Sequence, residues 1–318
     1  MKVAVLKGGR SLERQVSLRS GARVEDALAA LGHEVVAIDA GAELVTTLKA
    51  EAPDVAFVAL HGTDGEDGTV QELLEILGLP YTGPGVPACR RSTDKAAAKQ
   101  DLRDAGVPTP DWVSFSQTAF SELGAADALG EIEDRLGFPL VVKPARGGSS
   151  MGVRFAAGRD DVPQALLAAF SYDDRVLFER HVDGRELSVG VIDGDVLPVV
   201  EIRPKEEDRY TYEARYEIGR ADFICPAELT AEERSAVAEA ASGTWTALRC
   251  EGFARVDLML GANGPQVLEV NAVPGLTDTS LLPMSAEAGG MSFEDLVGRA
   301  VELALSRSAA WADRSRTS

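Results

Sequence analysis

Four polar residues near the carboxyl end each sit inside an otherwise apolar run. In Phe253–Leu260, alternation places Phe253, Arg255, Asp257 and Met259 on one face and Ala254, Val256, Leu258 and Leu260 on the other. After Gly261–Gly264, the next run sets Val267, Glu269 and Asn271 on one face, opposed by Leu268 and Val270. A hairpin over that turn brings Arg255, Asp257, Glu269 and Asn271 together. Charged side chains among such neighbours need partners to offset their desolvation. Two carboxylates and an amide oxygen are the hard-oxygen donors that Mg²⁺ takes, and Mg²⁺ so held usually also holds nucleotide phosphates. The plainer alternative is an Arg–carboxylate pair on an exposed sheet face. Pro274-Gly275 follows directly and favours a site, because it turns the chain sharply and frees a backbone N–H.

A second constellation is Lys143-Pro-Ala-Arg-Gly-Gly-Ser-Ser-Met-Gly152, between two short apolar runs. Glycines let backbone N–H groups approach an anion, and the hydroxyls of Ser149 and Ser150 add donors. No G-x-x-x-x-G-K-[ST] occurs, so this is not a P-loop. A flexible hairpin turn is the bland alternative; Lys143 in an apolar strand, with Lys95 and Arg146 also available, argues against it. Gly148–Gly152 also fits G-x-S-x-G, but a hydrolase elbow leads into a helix and here a strand follows. Gly83-Pro-Gly-Val-Pro-Ala88 is a weak match to a dinucleotide fingerprint, with no strand before it and Pro87 at the expected helix start; it reads as a domain junction.

Two loops and one aromatic cluster complete the candidates. His61-Gly-Thr-Asp-Gly-Glu-Asp-Gly68 follows an apolar strand; it reads as a polar turn capping the next helix through Asp67 or Thr69, with His61 able to bond a carboxylate. The loop Lys7–Gln15 offers Glu13 at a helix start, where a lone acid ordinarily pairs with the helix dipole. Tyr210-Thr-Tyr-Glu-Ala-Arg-Tyr216 sets three tyrosines in one long loop, either pinned by aromatic contacts or serving as a lid.

The elements that must position these residues alternate at first. Val3–Leu6, Val35–Ile38 and Val55–Leu60 read as strands, the last fully apolar and therefore central in a parallel sheet. Val24, Ala27, Leu28 and Leu31, then Val70, Leu73, Leu74 and Leu77, mark two helices with one buried stripe. This is a doubly wound α/β unit, with ligands expected at the strands' carboxyl ends. From about Ser92 a small α+β region is expected: a helix over 93–105, strands Leu140–Lys143, Val153–Phe155 and Val176–Glu179, and a helix near Asp161–Phe170 capped by Asp161. The last third is strand-rich, with Glu186–Ile192 and Val196–Ile202 flanking Asp193-Gly194, a helix Ala231–Leu248, the hairpin above, and a helix opened by Ser292 and Asp295 that ends near Leu305. Residues 306–318 read as a flexible polar tail.

Composition narrows the class. Of 318 residues, 45% are hydrophobic and 26% charged, which excludes a disordered or collagen-like chain. The net charge of −19 argues against nucleic-acid binding. No apolar run is long enough for a membrane span, and no secretory leader is expected, so a cytoplasmic protein without membrane contact is expected. Cys89, Cys225 and Cys250 show no metal spacing and read as reduced thiols.

Taken together and in order, GGRSLERQVSLRSG, HGTDGEDGTVQELLEILGLPYTG, Asp94-Lys95, VVKPARGGSSMGV, YEARY, FARVDLML and LEVNAVPGLTDTSLLP resemble the D-alanine:D-alanine ligases of the ATP-grasp superfamily over about residues 3–305. The resemblance implies an N-terminal doubly wound domain (1–92), a central ATP-grasp domain (93–182) and a C-terminal ATP-grasp domain (183–305). It implies that ATP phosphorylates the carboxylate of one D-alanine and that the amine of a second attacks the acyl phosphate, giving the dipeptide for peptidoglycan precursors, ADP and phosphate. An ATP-grasp carboxylate–amine ligase with another second amino acid or a secondary-pathway substrate is the alternative. It further implies ATP contacts at Lys95, Lys143, Gly148, Ser149, Ser150, Glu179, Glu186 and Arg215, and two Mg²⁺ ions, with Mn²⁺ as a substitute, on Asp257, Glu269 and Asn271. Arg255 and the Gly275 N–H would meet the oxyanion; Glu13 and His61 the first substrate; Ser280 and Leu281 the second. Glu13, Ser149 and Tyr216 match a hydrogen-bonded latch for the lid, and a homodimer is expected. Arg215 stands where the family commonly has Lys, and Glu72 where it often has Gly.

Overall fold

A computed structural model describes residues 1–204 and 221–316; the expected lid, with Arg215 and Tyr216, lies outside the described residues. The N-terminal unit runs β1 (Lys2–Lys7), α1 (Arg14–Ala30), β2 (Glu34–Asp39), α2 (Leu44–Glu51), β3 (Val55–Val58) and α3 (Thr69–Leu77). Its three strands are parallel in the order β2-β1-β3, so β1 rather than β3 is the middle strand. The all-apolar sequence of β3 has another cause. A parallel bridge from Ala56 to Tyr81 covers its outer edge, and both its faces are packed. The stripe read for α3 is correct, and Gly78 ends it in the left-handed region.

Where one helix over 93–105 was expected there are two, α4 (Val86–Thr93) and α5 (Lys95–Asp104). Pro87 sits in the first turn of α4, where a missing N–H costs nothing, so it opens the helix instead of forbidding it. Asp94 caps α5 by accepting from the N–H groups of Ala96 and Ala97 at 3.0 and 3.1 Å. That fixes Lys95 at the helix start and puts Lys99 one turn further on the same face.

The second sheet is antiparallel, from β4 (Trp112–Ser116), β5 (Leu140–Pro144), β6 (Arg154–Ala156) and β7 (Arg175–Arg180), in the order β4-β7-β5-β6. Short helices α6 (Gln117–Ser121), α7 (Leu129–Leu136) and α8 (Val162–Phe170) accompany it. Asp161 does not cap α8; its carboxylate accepts from the N–H groups of Ala157 and Gly158 and closes the preceding turn.

The third sheet contains β8 (Gly184–Ile192), β9 (Asp195–Val196), β10 (Val200–Pro204), β11 (Ala221–Ile224), β12 (Phe253–Gly261) and β13 (Gly264–Asn271), in the order β11-β10-β8-β12-β13, with β9 on β8. The run expected as one strand, Val196–Ile202, is split around Pro198, which cannot donate to a ladder. Helix α9 (Ala231–Leu248), opened by a Thr230–Glu233 capping box, covers the back of this sheet. Helices α10 (Leu281–Ala288) and α11 (Phe293–Arg316) return to the first sheet, where Leu296, Val297, Ala300 and Val301 pack with Val3, Val5 and Phe57. Helix α11 does not stop near Leu305, so the segment expected as a tail starts as ordered helix. Arg307 donates to the carbonyls of Gly83 and Tyr81 at 2.6 and 2.8 Å and holds it there.

Candidate active site

The four polar residues of the last hairpin do converge. Asp257 stands opposite Glu269, and Arg255 opposite Asn271, in antiparallel register. The alternation read from sequence fails at one point. A bulge follows Asp257, so Leu258 pairs with Val267, and Val267 lies in the core instead of sharing a face with Glu269. The extra residue lets Glu269 and Leu268 both contribute to the open side. Arg255 grips Asp257 bidentately, Nε to Oδ1 at 2.9 Å and Nη2 to Oδ2 at 2.8 Å. Ser188 of β8 and Asn271 also donate to Asp257, at 2.7 and 3.0 Å.

Above this floor lies a slot of about 140 Å³ between the second and third sheets. Val141, Phe155, Met259 and Leu268 give it apolar walls, and Lys95, Lys143, Gly148, Ser150, Glu179 and Glu186 reach it. Glu179 is fully buried and bridges two lysines, with Oε1 at 2.9 Å from Lys143 and Oε2 at 2.5 Å from Lys99. Burial pushes its carboxyl up, and the two ammonium groups outweigh that and hold it below the usual range. Burial pushes the Lys99 ammonium down to about 8. Lys99 also donates to Thr109 Oγ1 at 2.6 Å. Lys95 donates to the carbonyl of Gly147 at 2.5 Å and pairs with Glu269 at 3.2 Å. Around Lys143–Gly152, β5 and β6 are antiparallel neighbours, and Ser149 and Ser150 both take positive φ. A hydrolase elbow would need a helix there.

Beyond Asp257 and Glu269, a wider cavity of about 480 Å³ reaches to the N-terminal unit. Glu13, His61, Ser149, Arg255, Gly275 and Ser280 all line it. The Ser149 hydroxyl donates to Glu13, tying the glycine-rich loop to the N-terminal unit. Burial, then the nearby Glu66 carboxylate, push the Glu13 carboxyl up, against Ser149, His61 and Lys95. A Cβ on Gly62, at φ +70°, would come within 2.6 Å of Glu13 Oε2, so glycine is required for Glu13 to sit there. The Gly275 N–H has no hydrogen-bond partner among the described residues. Leu281 begins α10, and Ser280 at its cap accepts from the Thr277 N–H at 2.9 Å.

The structure therefore gathers every described residue proposed from the sequence around one connected space. Glu72 stands apart from it: it pairs with Arg90 on the surface between α3 and α4. Sequence reasoning missed Lys99, Ser188, Ser20 and Arg23. Only Lys99 left a signal, four residues after Lys95 on one helix.

No group of three His, Cys, Asp or Glu side chains close enough for a metal exists among the described residues. The donors on hand are two carboxylates and an amide on facing strands, both carboxylates now neutralised by Arg255 and Lys95. Such a set fits Mg²⁺ when phosphate oxygens supply the remaining positions.

A doubly wound unit joined to two antiparallel sheets that close on a lysine-lined slot defines an ATP-dependent ligase of the ATP-grasp class. The D-ala D-ala ligase C-terminus pattern matches residues 102–302, and the D-ala D-ala ligase N-terminus pattern matches residues 40–84. The chain belongs to the D-alanine–D-alanine ligase family. It is 43% identical over 309 residues to the D-alanine--D-alanine ligase of Moorella thermoacetica, covering 96% of this chain and 99% of that one. The ligase of Bacillus anthracis, solved in complex with ATP, superposes with a TM-score of 0.84 at 35% identity over 98% of this chain and 99% of that one. The VanG D-Ala:D-Ser ligase of Enterococcus faecalis superposes at 0.80 with 27% identity, over 96% of this chain and 99% of that one. Among the described residues no helix is long and apolar enough to cross a membrane.

Proposed function

We propose that this chain joins two D-alanine molecules to D-alanyl-D-alanine while ATP is converted to ADP and phosphate. One observation carries the reading: Asp257 and Glu269 line both the slot and the cavity, so a phosphate at their junction faces a carboxylate in the cavity. ATP lies in the slot with its base against Val141, Phe155, Met259 and Leu268 and its ribose toward Glu186. Lys95, Lys143, the N–H groups of Gly148, Ser149 and Ser150 and the Ser150 hydroxyl hold the phosphates; Arg215, expected to join them, lies outside the described residues. Asp257, Glu269 and Asn271 would hold Mg²⁺, which supplies charge neutralisation at the phosphates.

Glu13 accepts the ammonium of the first D-alanine, with His61 near its carboxylate. A carboxylate oxygen of that substrate attacks the γ-phosphorus and ADP leaves. Ser280 and the Leu281 N–H at the start of α10 hold the carboxylate of the second D-alanine. Its amine attacks the acyl carbon; Arg255 and the Gly275 N–H take the negative charge that develops on the oxygen, and phosphate departs as the peptide bond forms. Ser149 and Glu13 form the described part of the latch; Tyr216, its expected third member, lies outside the described residues. The three-part division at 92 and 182, a homodimer, a cytoplasmic site and a place in peptidoglycan precursor synthesis belong to the same reading.

Incubation with ATP, Mg²⁺ and D-alanine tests it. Phosphate release that depends on D-alanine, with the dipeptide as product, is expected. Release only with a different amino acid or D-lactate as the second substrate would replace this reading with that of a sister ligase.

A further inference from the structure

The Gly275 N–H and Ser280 act on the substrates only if the loop that carries them, residues 273–280, stays in place. That loop is a C-terminal segment held by side chains of the N-terminal unit. His61 Nδ1 lies 3.0 Å from the carbonyl of Val273. A carbonyl only accepts, so Nδ1 is the donor, and Nε2 lies 2.9 Å from Ser20 Oγ. The same Ser20 oxygen accepts the N–H of Leu276 at 3.1 Å. One turn further along α1, Arg23 Nη1 donates to the carbonyls of Leu276 at 3.2 Å and Thr277 at 3.0 Å. Its Nε pairs with Asp278 at 3.1 Å, and its guanidinium lies 3.7 Å above the Phe293 ring at the start of α11.

We propose that Ser20 and Arg23 are positioning residues for the second half-reaction: they clamp the backbone on both sides of Leu276 and so set the Gly275 N–H and the Ser280 site for the second D-alanine. Neither lines the cavity, so neither touches a substrate; they act through the loop. Ser20 is fully buried and reads both His61 and the loop, which makes His61 a strut as well as a wall of the cavity. Arg23 makes three polar contacts on successive residues, a fit that a flexible ammonium does not reproduce. The substrate contacts on the other side of the cavity, Glu13 with Ser149, are independent of this clamp.

The inference rests on the ligase reading, and the measurements separate the two. The rate of the unaltered enzyme against D-alanine concentration resolves a tighter and a weaker binding constant, because one substrate fills two sites. In Arg23→Ala the weaker constant is expected to rise about tenfold or more and kcat to fall, with the ATP constant and the tighter D-alanine constant within about twofold of the unaltered enzyme, whereas Ser20→Ala, which also releases His61, should raise both D-alanine constants and leave the ATP constant unchanged. Arg23→Lys should recover only part of the loss. If all constants and the melting temperature move together, the clamp is merely structural and the proposal fails. If Arg23→Ala keeps the weaker constant and kcat, the proposal also fails while the ligase reading stands. If the unaltered enzyme shows no D-alanine-dependent turnover, the ligase reading itself has failed.

Discussion

The slot and the wider cavity handle buried charge in opposite ways. In the slot, one fully buried carboxylate, Glu179, balances two lysines, and all three are held in place by packing. In the cavity, among the described residues, the carboxylates outnumber the close cations. Asp257 leans on Arg255 and Glu269 on Lys95, while Glu13 accepts from the Ser149 hydroxyl and forms no ion pair among the described residues. A pre-paired slot suits a ligand whose position must not vary, namely the triphosphate. A cavity with an under-compensated carboxylate suits a ligand that brings its own positive charge, such as an amino acid. The boundary between the two is the Asp257–Glu269 pair.

That boundary can be broken first. Asp257→Asn should abolish D-alanine-dependent phosphate release in Mg²⁺ while calorimetry still detects ATP binding; retained turnover would remove the hairpin from the chemistry. Arg255→Ala comes next. It should lower kcat by about 10²–10³-fold, the usual cost of losing one oxyanion donor; an effect confined to KM would assign Arg255 to binding alone. In the slot, Lys99→Met leaves Glu179 with one cation and should cost about 3–5 kcal/mol of stability in urea unfolding, as breaking a buried ion pair does. A loss near zero would mean that Lys143 alone satisfies Glu179.

The cavity's excess charge is tested by pH. A raised Glu13 pKa means that this carboxyl takes up a proton at a higher pH than an ordinary glutamate does. Ammonium binding needs the ionised form, so D-alanine affinity should weaken as pH falls, beginning above the normal carboxylate range, and Glu13→Gln should flatten that limb. The smallest effect belongs to Glu72→Ala. Its partner Arg90 is exposed, so stability should change by about 0.5 kcal/mol or less and turnover not at all.

How far the sequence could be read follows the kind of structure that carries each residue. On antiparallel strands, alternation alone put Arg255, Asp257, Glu269 and Asn271 on one wall, because a period of two admits few other outcomes. The bulge escaped notice because Leu268 suits either face. Lys99 was overlooked as a site residue since a lysine on an alanine-rich helix ordinarily points to water, and only the fold reveals Glu179 waiting for it. Pro87 was misread because proline punctuates a helix at its start as well as its end. Glu13 and His61 sit in loops without period, so their meeting depended on family resemblance and not on pattern. The clamp of Ser20 and Arg23 had no local trace at all, its partners being more than 250 residues away.

That separation bears on how the enzyme comes into being. As the nascent polypeptide leaves the ribosome, α1 emerges early, yet the segment it must seize is translated near the end. The nucleotide slot is likewise missing its floor until β12 and β13 appear. An incomplete chain therefore carries no assembled reaction centre, and a message truncated before β12 yields a protein whose nucleotide slot has no floor.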